Sequence, residues 1–335
     1  MKILDKAKLS QFLEGLKPKY EVIAPLHEGK DILFGRLDST KLAIDFVGKT
    51  RLSPKEYLFP QREVLFTFEE NKKVEIKAYL DETKRVIWGI SPCDLHGIKI
   101  LNMVYFSDYI DPYYQARSTN TLLLGLNCNE AEASCFCSSL GTGPFAREGF
   151  DLLFTDLGDT FLVEIGSKAG EMLIEEANLF IEAAEKDKEK AKMLESKSKQ
   201  SFANQIDIKK VEGKLPDVLD NPLWAEEADK CFLCGACNFV CPACHCFNIE
   251  DIKVGQRTER VRYWDSCQLG GFTQMAAYNS RTAQVERLRQ RIYHKFSYIP
   301  DRYNGQLGCT GCGRCIDVCL GEIDIAQILR KVANE

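Results

Sequence analysis

Long hydrophobic runs and an excess of positive charge are both missing from this chain of 335 residues. No apolar stretch approaches the roughly 20 residues that a membrane-spanning helix needs. The formal net charge is −5, so there is no overall basic field that would attract nucleic acid. We therefore expect neither a membrane span nor a nucleic-acid partner.

Targeting and nucleotide-binding signatures are also missing. The first 20 residues have charges scattered among apolar residues, so the segment lacks the apolar core of a signal peptide. It is instead typical of an amphipathic helix with Leu9, Phe12, Leu13 and Leu16 on one face. No flavin or nicotinamide fingerprint is present, and the glycine-rich GTGPF lacks the lysine of a phosphate-binding loop. We expect a cytoplasmic protein.

Cysteine, in contrast, is abundant. The chain has 15 cysteines, an odd number. In a reducing compartment, cysteines are more often metal ligands or redox groups than structural disulfides. Their spacing therefore indicates where chemistry takes place.

Eight of the cysteines form two runs with the spacing C-x2-C-x2-C-x3-C, at 231–241 and 309–319. This spacing is typical of bacterial ferredoxins with two 4Fe–4S clusters, in which the fourth cysteine of each run binds the other cluster. The first predicted cluster is held by Cys231, Cys234, Cys237 and Cys319. The second is held by Cys309, Cys312, Cys315 and Cys241.

Zinc is the alternative metal for these two runs. Structural zinc sites favour two CxxC pairs separated by a longer loop, whereas each run here has three close cysteines and one more. Gly235, Gly311 and Gly313 would let the backbone approach a cluster. The second run has Leu320 where the ferredoxin pattern has proline, but proline is not a ligand.

Four further cysteines follow predicted strands in the first half of the chain. RVIWGIS, a helix and TLLLGLN form a βαβ pattern. Cys93 and Cys128 come just after these two strands, and the carboxyl ends of parallel strands meet at one edge of a sheet. The sequence predicts a third cluster at this edge; the alternative is buried, unreactive cysteines. The predicted ligands are Cys93, Cys128, Cys135 and Cys137.

The last three cysteines, Cys244, Cys246 and Cys267, lie between the two runs. A further cluster with a borrowed or non-cysteine fourth ligand, a redox dithiol and simple packing all remain open for them. His245 is a possible ligand, although a lone histidine is more often an ordinary polar residue. The segment 281–296 is a basic amphipathic helix, for which a solvated face is the simpler interpretation. The alternatives are that its cations offset the charge of nearby clusters or dock an acidic partner.

These patterns divide the chain into three parts. We expect an α/β or α+β sheet domain at 1–170 and a Lys/Glu-rich helical connector at 171–220. A two-cluster ferredoxin-like α+β domain follows at 221–335, with an insertion between its cysteine runs.

Specific motifs throughout the chain resemble one family. They are YLFPQREVLF, SPCDLHGIK, DPYYQAR, GLNCNEAEASCFCSSLGTGP, DLLFTDLGD, CNFVCPACHCF, WDSC and GCTGCGRCIDVC. In this order they resemble the beta subunits of soluble sulfhydrogenases and the A subunits of anaerobic sulfite reductases. The first 30 residues and the lysine-rich stretch carry none of the resemblance.

The resemblance implies an iron–sulfur electron-transfer subunit of a cytoplasmic, anaerobic oxidoreductase complex. Its expected partners are a flavoprotein subunit that handles NAD(P)H and a catalytic subunit such as a hydrogenase, a sulfite reductase or a heterodisulfide-reductase-like enzyme. We expect no catalytic residues in this chain. From the cysteine groups we expect two 4Fe–4S clusters and a third, and a fourth stays open. The alternative is an enzyme that itself reduces a disulfide or sulfur substrate with a cluster or a dithiol.

Overall fold

The strands and helices are taken from a computed structural model of the chain, which describes residues 1–46, 48–69 and 76–335. The strands are β1 (Lys2–Asp5), β2 (Glu21–Glu28), β3 (Asp31–Arg36), β4 (Arg62–Phe68), β5 (Lys77–Ala78), β6 (Arg85–Ile90), β7 (Thr121–Leu126), β8 (Leu152–Asp156), β9 (Thr160–Ile165), β10 (Ile181–Glu182), β11 (Phe247–Val254) and β12 (Arg257–Trp264).

The α-helices are α1 (Leu9–Leu16), α2 (Pro92–Tyr105), α3 (Pro112–Thr119), α4 (Lys168–Ala177), α5 (Glu185–Gln200), α6 (Ile208–Lys214), α7 (Leu223–Ala228), α8 (Ala236–Phe239), α9 (Gln284–Tyr293), α10 (Ile299–Arg302), α11 (Arg314–Asp317) and α12 (Ile325–Asn334). Short 3-10 helices lie at Lys6–Lys8, Pro54–Tyr57, Cys137–Leu140, Leu215–Val218 and Gly270–Thr273, and a π-helix spans His294–Tyr298.

A sheet of eight strands organises the N-terminal part, in the order β10-β1-β9-β8-β7-β6-β2-β3. The four strands β8, β7, β6 and β2 are parallel neighbours, and antiparallel strands extend the sheet on both sides. The predicted βαβ unit is β6, α2 and β7, whose residues are mostly buried because helices and loops cover both faces. This mixed α/β sheet domain confirms the predicted N-terminal fold class.

The core of this domain lies under the N-terminal helix. Leu9, Phe12, Leu13 and Leu16 are buried, as the amphipathic pattern predicts. The helix begins only at Leu9, because Lys2–Asp5 pairs with β9 as an antiparallel strand. The prediction of one helix over the whole segment was therefore wrong at its start, where a strand adds to the sheet.

A second, four-stranded sheet has the order β11-β12-β4-β5 and joins distant parts of the chain. Strand β4 precedes the βαβ unit, whereas β12 lies between the two cysteine runs, and the two pair antiparallel. Buried Glu63 on β4 accepts hydrogen bonds from Arg262 Nε on β12 (2.7 Å) and from Arg117 Nη1 (2.6 Å). The insertion between the runs is therefore anchored to the sheet domain.

The C-terminal part is built from helices that surround the two cysteine runs. Helix α12 buries Ile325, Ile328, Leu329 and Val332 against α6, α7 and α9. The short helices α8 and α11 each carry the third cysteine of a run and contact one another. The mixed α/β architecture, with its iron–sulfur part at the C-terminal end, agrees with the predicted fold class.

The Lys/Glu-rich segment forms helix α5, and β10 before it pairs with β1 at the edge of the large sheet. Near its end, Ser198 is fully buried and its Oγ donates to the carbonyl oxygen of Cys128 (2.7 Å). The division at 170 and 220 stays a prediction. Helix α5 nevertheless contacts the loop of a predicted cluster ligand, so its sequence serves a packing role besides connection.

Candidate iron–sulfur site

The two cysteine runs fold in the same local way. In each run, the first two cysteines occupy a loop that leads into a four-residue helix, α8 or α11, and the third cysteine lies on that helix. Gly235 and Gly313 precede these helices with positive φ angles of 75° and 73°, a conformation that glycine adopts without a steric penalty. The repeated spacing therefore produces two similar loops that each present sulfur atoms to one side.

Backbone amides point at the cysteine sulfurs in both loops. The N–H of Leu233 donates to Cys231 Sγ (3.4 Å), and the N–H of Gly311 donates to Cys309 Sγ (3.4 Å). The N–H of Ile323 donates to Cys319 Sγ (3.3 Å). Such donors stabilise negative charge on thiolates, which iron ligation requires.

The structure brings the last cysteine of each run to the other run. Cys319 lines one cavity with the three first-run cysteines and with Cys315. Cys241 is buried near Cys309 and Cys315, whose pKa values are raised by burial and further by the charge of Cys241. The expected exchange of fourth cysteines is compatible with these positions. The first cavity is lined by Cys231, Cys234, Cys237 and Cys319.

The predicted N-terminal ligands lie directly against the second run. Cys93 opens helix α2 after β6, and its thiol hydrogen-bonds Cys312, which together with burial raises the pKa of Cys93 well above its usual value. Cys128, Cys135 and Cys137 lie near one another, and the pKa of Cys137 is raised by burial and then by the charges of the other two. Three of the four predicted ligands thus cluster, while Cys93 makes its thiol contact with the second run.

The loop that carries these cysteines packs on the second-run loop at backbone distance. The N–H of Phe136 donates to the carbonyl of Gly311 (2.8 Å), and Thr142 Oγ1 donates to the carbonyl of Thr310 (2.7 Å). A Cβ atom at Gly311 would lie 2.6 Å from the backbone of Cys137, and one at Gly313 would lie 2.4 Å from the carbonyl oxygen of Ser134. The two glycines therefore serve an approach between protein loops as well as the loop turn itself.

Lys49 closes the outer side of this contact. Its Nζ donates to Ser134 Oγ (2.7 Å), pairs with Asp317 (2.8 Å) and lies 3.7 Å from Cys135 Sγ. Burial alone would lower the pKa of Lys49, but Cys135 and its carboxylate partners raise it above its usual value. This lysine ties the N-terminal cysteine loop to helix α11 and remains charged.

The three remaining cysteines lie together beside Cys241. Cys244 hydrogen-bonds Cys241, and Cys246 hydrogen-bonds Cys267. The bond with Cys246 lowers the pKa of Cys267, which Asn238 Nδ2 also approaches at 3.0 Å. Cys244, Cys246 and Cys267 therefore form a fourth group of thiols, and all three line one small cavity.

His245 lies within the same group but makes a local contact. Its Nδ1 lies 3.0 Å from the carbonyl oxygen of Ala243, and its ring is 5.6 Å from that of His294. Burial lowers the pKa of His245. One ring nitrogen is therefore engaged by the backbone, as for an ordinary buried histidine.

The basic helix at 281–296 turns its cations inward. Arg291 and Lys295 are 4% and 5% exposed, so the interpretation of this helix as a solvated face was wrong for them. Lys295 Nζ lies 3.3 Å from Cys241 Sγ and 3.5 Å from Cys244 Sγ. Burial alone would lower the pKa values of both cations, but nearby thiolates raise them well above the usual range.

The donor chemistry fits iron–sulfur centres. All 15 cysteines are free, and Nε and Nη2 of buried Arg291 have no hydrogen-bond partner among the described residues. Among those residues, no three His, Cys, Asp or Glu side chains converge so that they could hold one metal ion. A structural zinc ion needs four ligands around one point, whereas a cubane is held at separate corners.

Sequence reasoning missed several of the surrounding residues. Ser198 and Lys49 contact cysteines or their loops from segments that carry no cysteine motif. Asn238 lies within the first run but contacts Cys267, which belongs to neither run. Their local sequence gives no signal, because each contact depends on how distant segments pack. Only the i, i+4 spacing of Arg291 and Lys295 was visible beforehand, and it indicated a shared helix face without saying that the face is buried.

No α-helix in the described ranges combines the length and the apolar character that crossing a membrane demands. This agrees with the absence of long hydrophobic runs in the sequence.

Comparison with known proteins gives a consistent result. Residues 230–323 match the family model described as a 4Fe–4S dicluster domain, a range that includes both cysteine runs. Over 330 residues the chain is 34% identical to sulfhydrogenase 2 subunit beta from Pyrococcus furiosus, an alignment that covers 96% of this chain and 95% of that protein. No solved structure matches the chain.

The alignment covers the sheet domain and the helical segment as well as the cysteine runs, so the likeness extends well beyond the dicluster domain. The chain therefore belongs to the family of sulfhydrogenase beta subunits and is an iron–sulfur electron-transfer subunit with a 4Fe–4S dicluster domain.

Proposed function

We propose that this protein relays electrons inside a cytoplasmic, anaerobic oxidoreductase complex. Its partners are a flavoprotein subunit that handles NAD(P)H and a catalytic redox subunit, either a hydrogenase, a sulfite reductase or a heterodisulfide-reductase-like enzyme. The observation that carries the proposal is the thiol contact between Cys93 and Cys312, which joins the sheet domain to the second run. The name of the Pyrococcus furiosus relative, a beta subunit, supports a multi-subunit complex.

The cysteine groups would hold the clusters as follows. The first 4Fe–4S cluster is bound by Cys231, Cys234, Cys237 and Cys319. The second is bound by Cys309, Cys312, Cys315 and Cys241. The third is bound by Cys93, Cys128, Cys135 and Cys137. A further cluster would use Cys244, Cys246 and Cys267.

Bound iron–sulfur clusters supply one-electron transfer without a protein-derived nucleophile or base. The chain's own residues have the complementary task of holding thiolates in place and excluding water. The buried thiols of Cys241, Cys309 and Cys312 and the amides at Leu233 and Gly311 fit that task.

One observation favours a second candidate function, an enzyme with an active dithiol. Cys246 and Cys267 are hydrogen-bonded to each other, and that bond lowers the pKa of Cys267. A thiolate beside a second thiol is the arrangement that reduces disulfides. In this alternative the pair acts on a disulfide or sulfur substrate and returns to the thiol form with electrons from the clusters.

Two measurements separate the candidates. The first is the iron and acid-labile sulfide content of the full chain prepared without oxygen. About eight of each supports only the two runs, whereas about twelve or more requires a centre outside them. The second is turnover: a relay subunit exchanges electrons with a mediator dye and reduces no disulfide or sulfur substrate by itself. Reduction of such a substrate, lost in Cys267→Ser, would support the enzyme.

A further inference from the structure

Three basic residues of one helix face point into the protein. Arg287, Arg291 and Lys295 are spaced four apart along α9 and the π-helix that follows it, and all are at most 9% exposed. Arg287 donates to the backbone carbonyls of Arg281 (3.0 Å) and Thr282 (2.8 Å), so its charge is solvated by peptide groups. The other two cations lie among cysteines.

Arg291 lies between the two runs. Its side chain lines one cavity together with Cys237 of the first run and Cys315 of the second, the two cysteines whose charges act on it most strongly. It also lines the cavity beside Cys244. Since Nε and Nη2 are buried without a partner in the described residues, they are free to donate to sulfur atoms of a bound cluster.

Lys295 serves a different set of cysteines. Its Nζ is 3.3 Å from Cys241 Sγ. The charge of Cys309, another cysteine of the proposed second cluster, also acts on Lys295. Its third contact is the carbonyl of Gly308 at 3.1 Å, and the N–H of Gly308 in turn donates to the carbonyl of Lys295 (2.7 Å). This reciprocal contact fixes the lysine against the start of the second run.

Neither cation has a carboxylate within ion-pairing distance among the residues that the structure describes. Three other buried cations lie near cysteines. Lys55 Nζ donates to the carbonyl of Cys244 (3.0 Å), and burial lowers the pKa of Lys55. The remaining two have a carboxylate partner. Arg314 is paired with Asp94 and Lys49 with Asp317. A buried cation without a counter-charge is strongly unfavourable, so Arg291 and Lys295 require negative charge from the cysteines and whatever they bind.

We infer that Arg291 and Lys295 are positioning residues whose unpaired charges offset the negative charge of the ferredoxin-run clusters and raise their reduction potentials. The inference rests on the proposed assignment of cysteines to the first two clusters. Reduction adds negative charge, and a fixed cation in a water-poor site stabilises the reduced state more than the oxidised one. Arg291 acts on both clusters, because it lies beside Cys237 and Cys315, whereas Lys295 acts on the second alone.

The test is a potentiometric titration of the full chain, which is prepared without oxygen. Electron paramagnetic resonance monitors the reduction of each cluster during the titration. The charge-removing variants are Arg291→Gln and Lys295→Gln, and the charge-keeping variants are Arg291→Lys and Lys295→Arg. Arg289→Gln is the matched control, since Arg289 lies on the same helix but bonds the carbonyl of Leu219 away from the cysteines. Iron and sulfide are measured in every sample before titration.

We expect Arg291→Gln to shift the midpoint potentials of both ferredoxin-run centres to more negative values. Lys295→Gln is expected to shift that of one centre only, and the charge-keeping and control variants are expected to stay close to the wild-type values. If a glutamine variant loses iron that its charge-keeping counterpart retains, charge compensation is again supported.

Two results would overturn the inference. One is unchanged midpoint potentials in both glutamine variants at full iron content. The other is equal loss of iron in the glutamine and the charge-keeping variants, which would assign the side chains a packing role only. A wild-type chain that binds no iron would instead refute the proposed function, so the two failures are distinguishable.

Discussion

Arg314 and Asp94 form a bidentate ion pair in the interior of the protein. Arg314 Nη1 and Nη2 each lie 2.7 Å from one carboxylate oxygen of Asp94, and both side chains are 1% exposed. Arg314 follows Gly313 in the second run, whereas Asp94 follows Cys93 in the first turn of α2. The pair therefore fixes the orientation of the two segments whose cysteines, Cys93 and Cys312, are in contact.

Replacing Asp94 by asparagine should leave the Arg314 charge buried and uncompensated. We expect Asp94→Asn to lower the free energy of unfolding by about 3–5 kcal/mol, since removal of one member of a buried pair strands the other. The measurement is thermal unfolding followed by circular dichroism. The matched control is Asp251→Asn, because Asp251 pairs with Arg260 on the exposed surface of β11 and β12.

The control variant should unfold at the wild-type temperature, since exposed pairs contribute little. Equal melting temperatures for Asp94→Asn and the wild type would show that the buried pair does not hold the two segments together.

The proposed third cluster predicts a selective loss of iron. Cys128 lies near Cys135 and Cys137 and makes no contact with the first-run cavity. We expect Cys128→Ser to remove about four iron and four sulfide per chain and to leave the two ferredoxin-run clusters, visible by electron paramagnetic resonance, in place. Met193→Ser, at an exposed position of α5, controls for a new serine. Full iron content in Cys128→Ser would refute a cluster at this edge of the sheet.

Two helical glycines offer a matched test of packing between the sheet domain and the first run. A Cβ atom at Gly97 on α2 would lie 2.6 Å from Pro242 Cβ and 3.0 Å from its carbonyl carbon, next to Cys241. We expect Gly97→Ala to destabilise the protein by about 1–3 kcal/mol, as overpacking does.

Gly15 on α1 has open space at the corresponding position, with no atom within 4 Å. We expect Gly15→Ala to stabilise the protein by about 0.5–1 kcal/mol, because alanine loses less backbone freedom in a helix. Both variants are compared in thermal unfolding. The packing argument fails if the two substitutions change the melting temperature in the same direction.

His96 predicts a pH dependence. Burial, and then the charge of Lys99, lowers its pKa to about 4 in the folded protein, from about 6.5 in an unfolded chain. The folded state therefore binds fewer protons between these values, so its stability is complete above pH 6.5 and falls as the pH drops towards 4. We expect a loss of about 1–2 kcal/mol at pH 5 that His96→Gln largely abolishes.

Melting temperatures at pH 7.5 and pH 5 measure this effect for the wild type and the variant. The same substitution at exposed His27 should reproduce the wild-type profile. An identical decline in His96→Gln and the wild type would assign the pH dependence to other groups.

Features that depend on neighbouring residues were predictable from the sequence. The cysteine spacing indicated two similar loops, and the βαβ pattern placed Cys93 and Cys128 after adjacent parallel strands. The pairing of β4 with β12 was not predictable, since nearly 200 residues separate the strands and nothing in either one specifies its partner. The burial of Arg291 was missed for the same reason: the cysteines beside it come from other segments.

The close approach at Gly311 and Gly313 affects how the protein can be divided. The loop at 134–137 occupies the space that a Cβ atom at either position would need. A fragment that starts after the sheet domain would therefore expose one side of its second cysteine loop to solvent and oxygen. The dicluster domain thus shares its packing with the sheet domain, and we expect a fragment without the sheet domain to be less stable than the same residues in the whole chain.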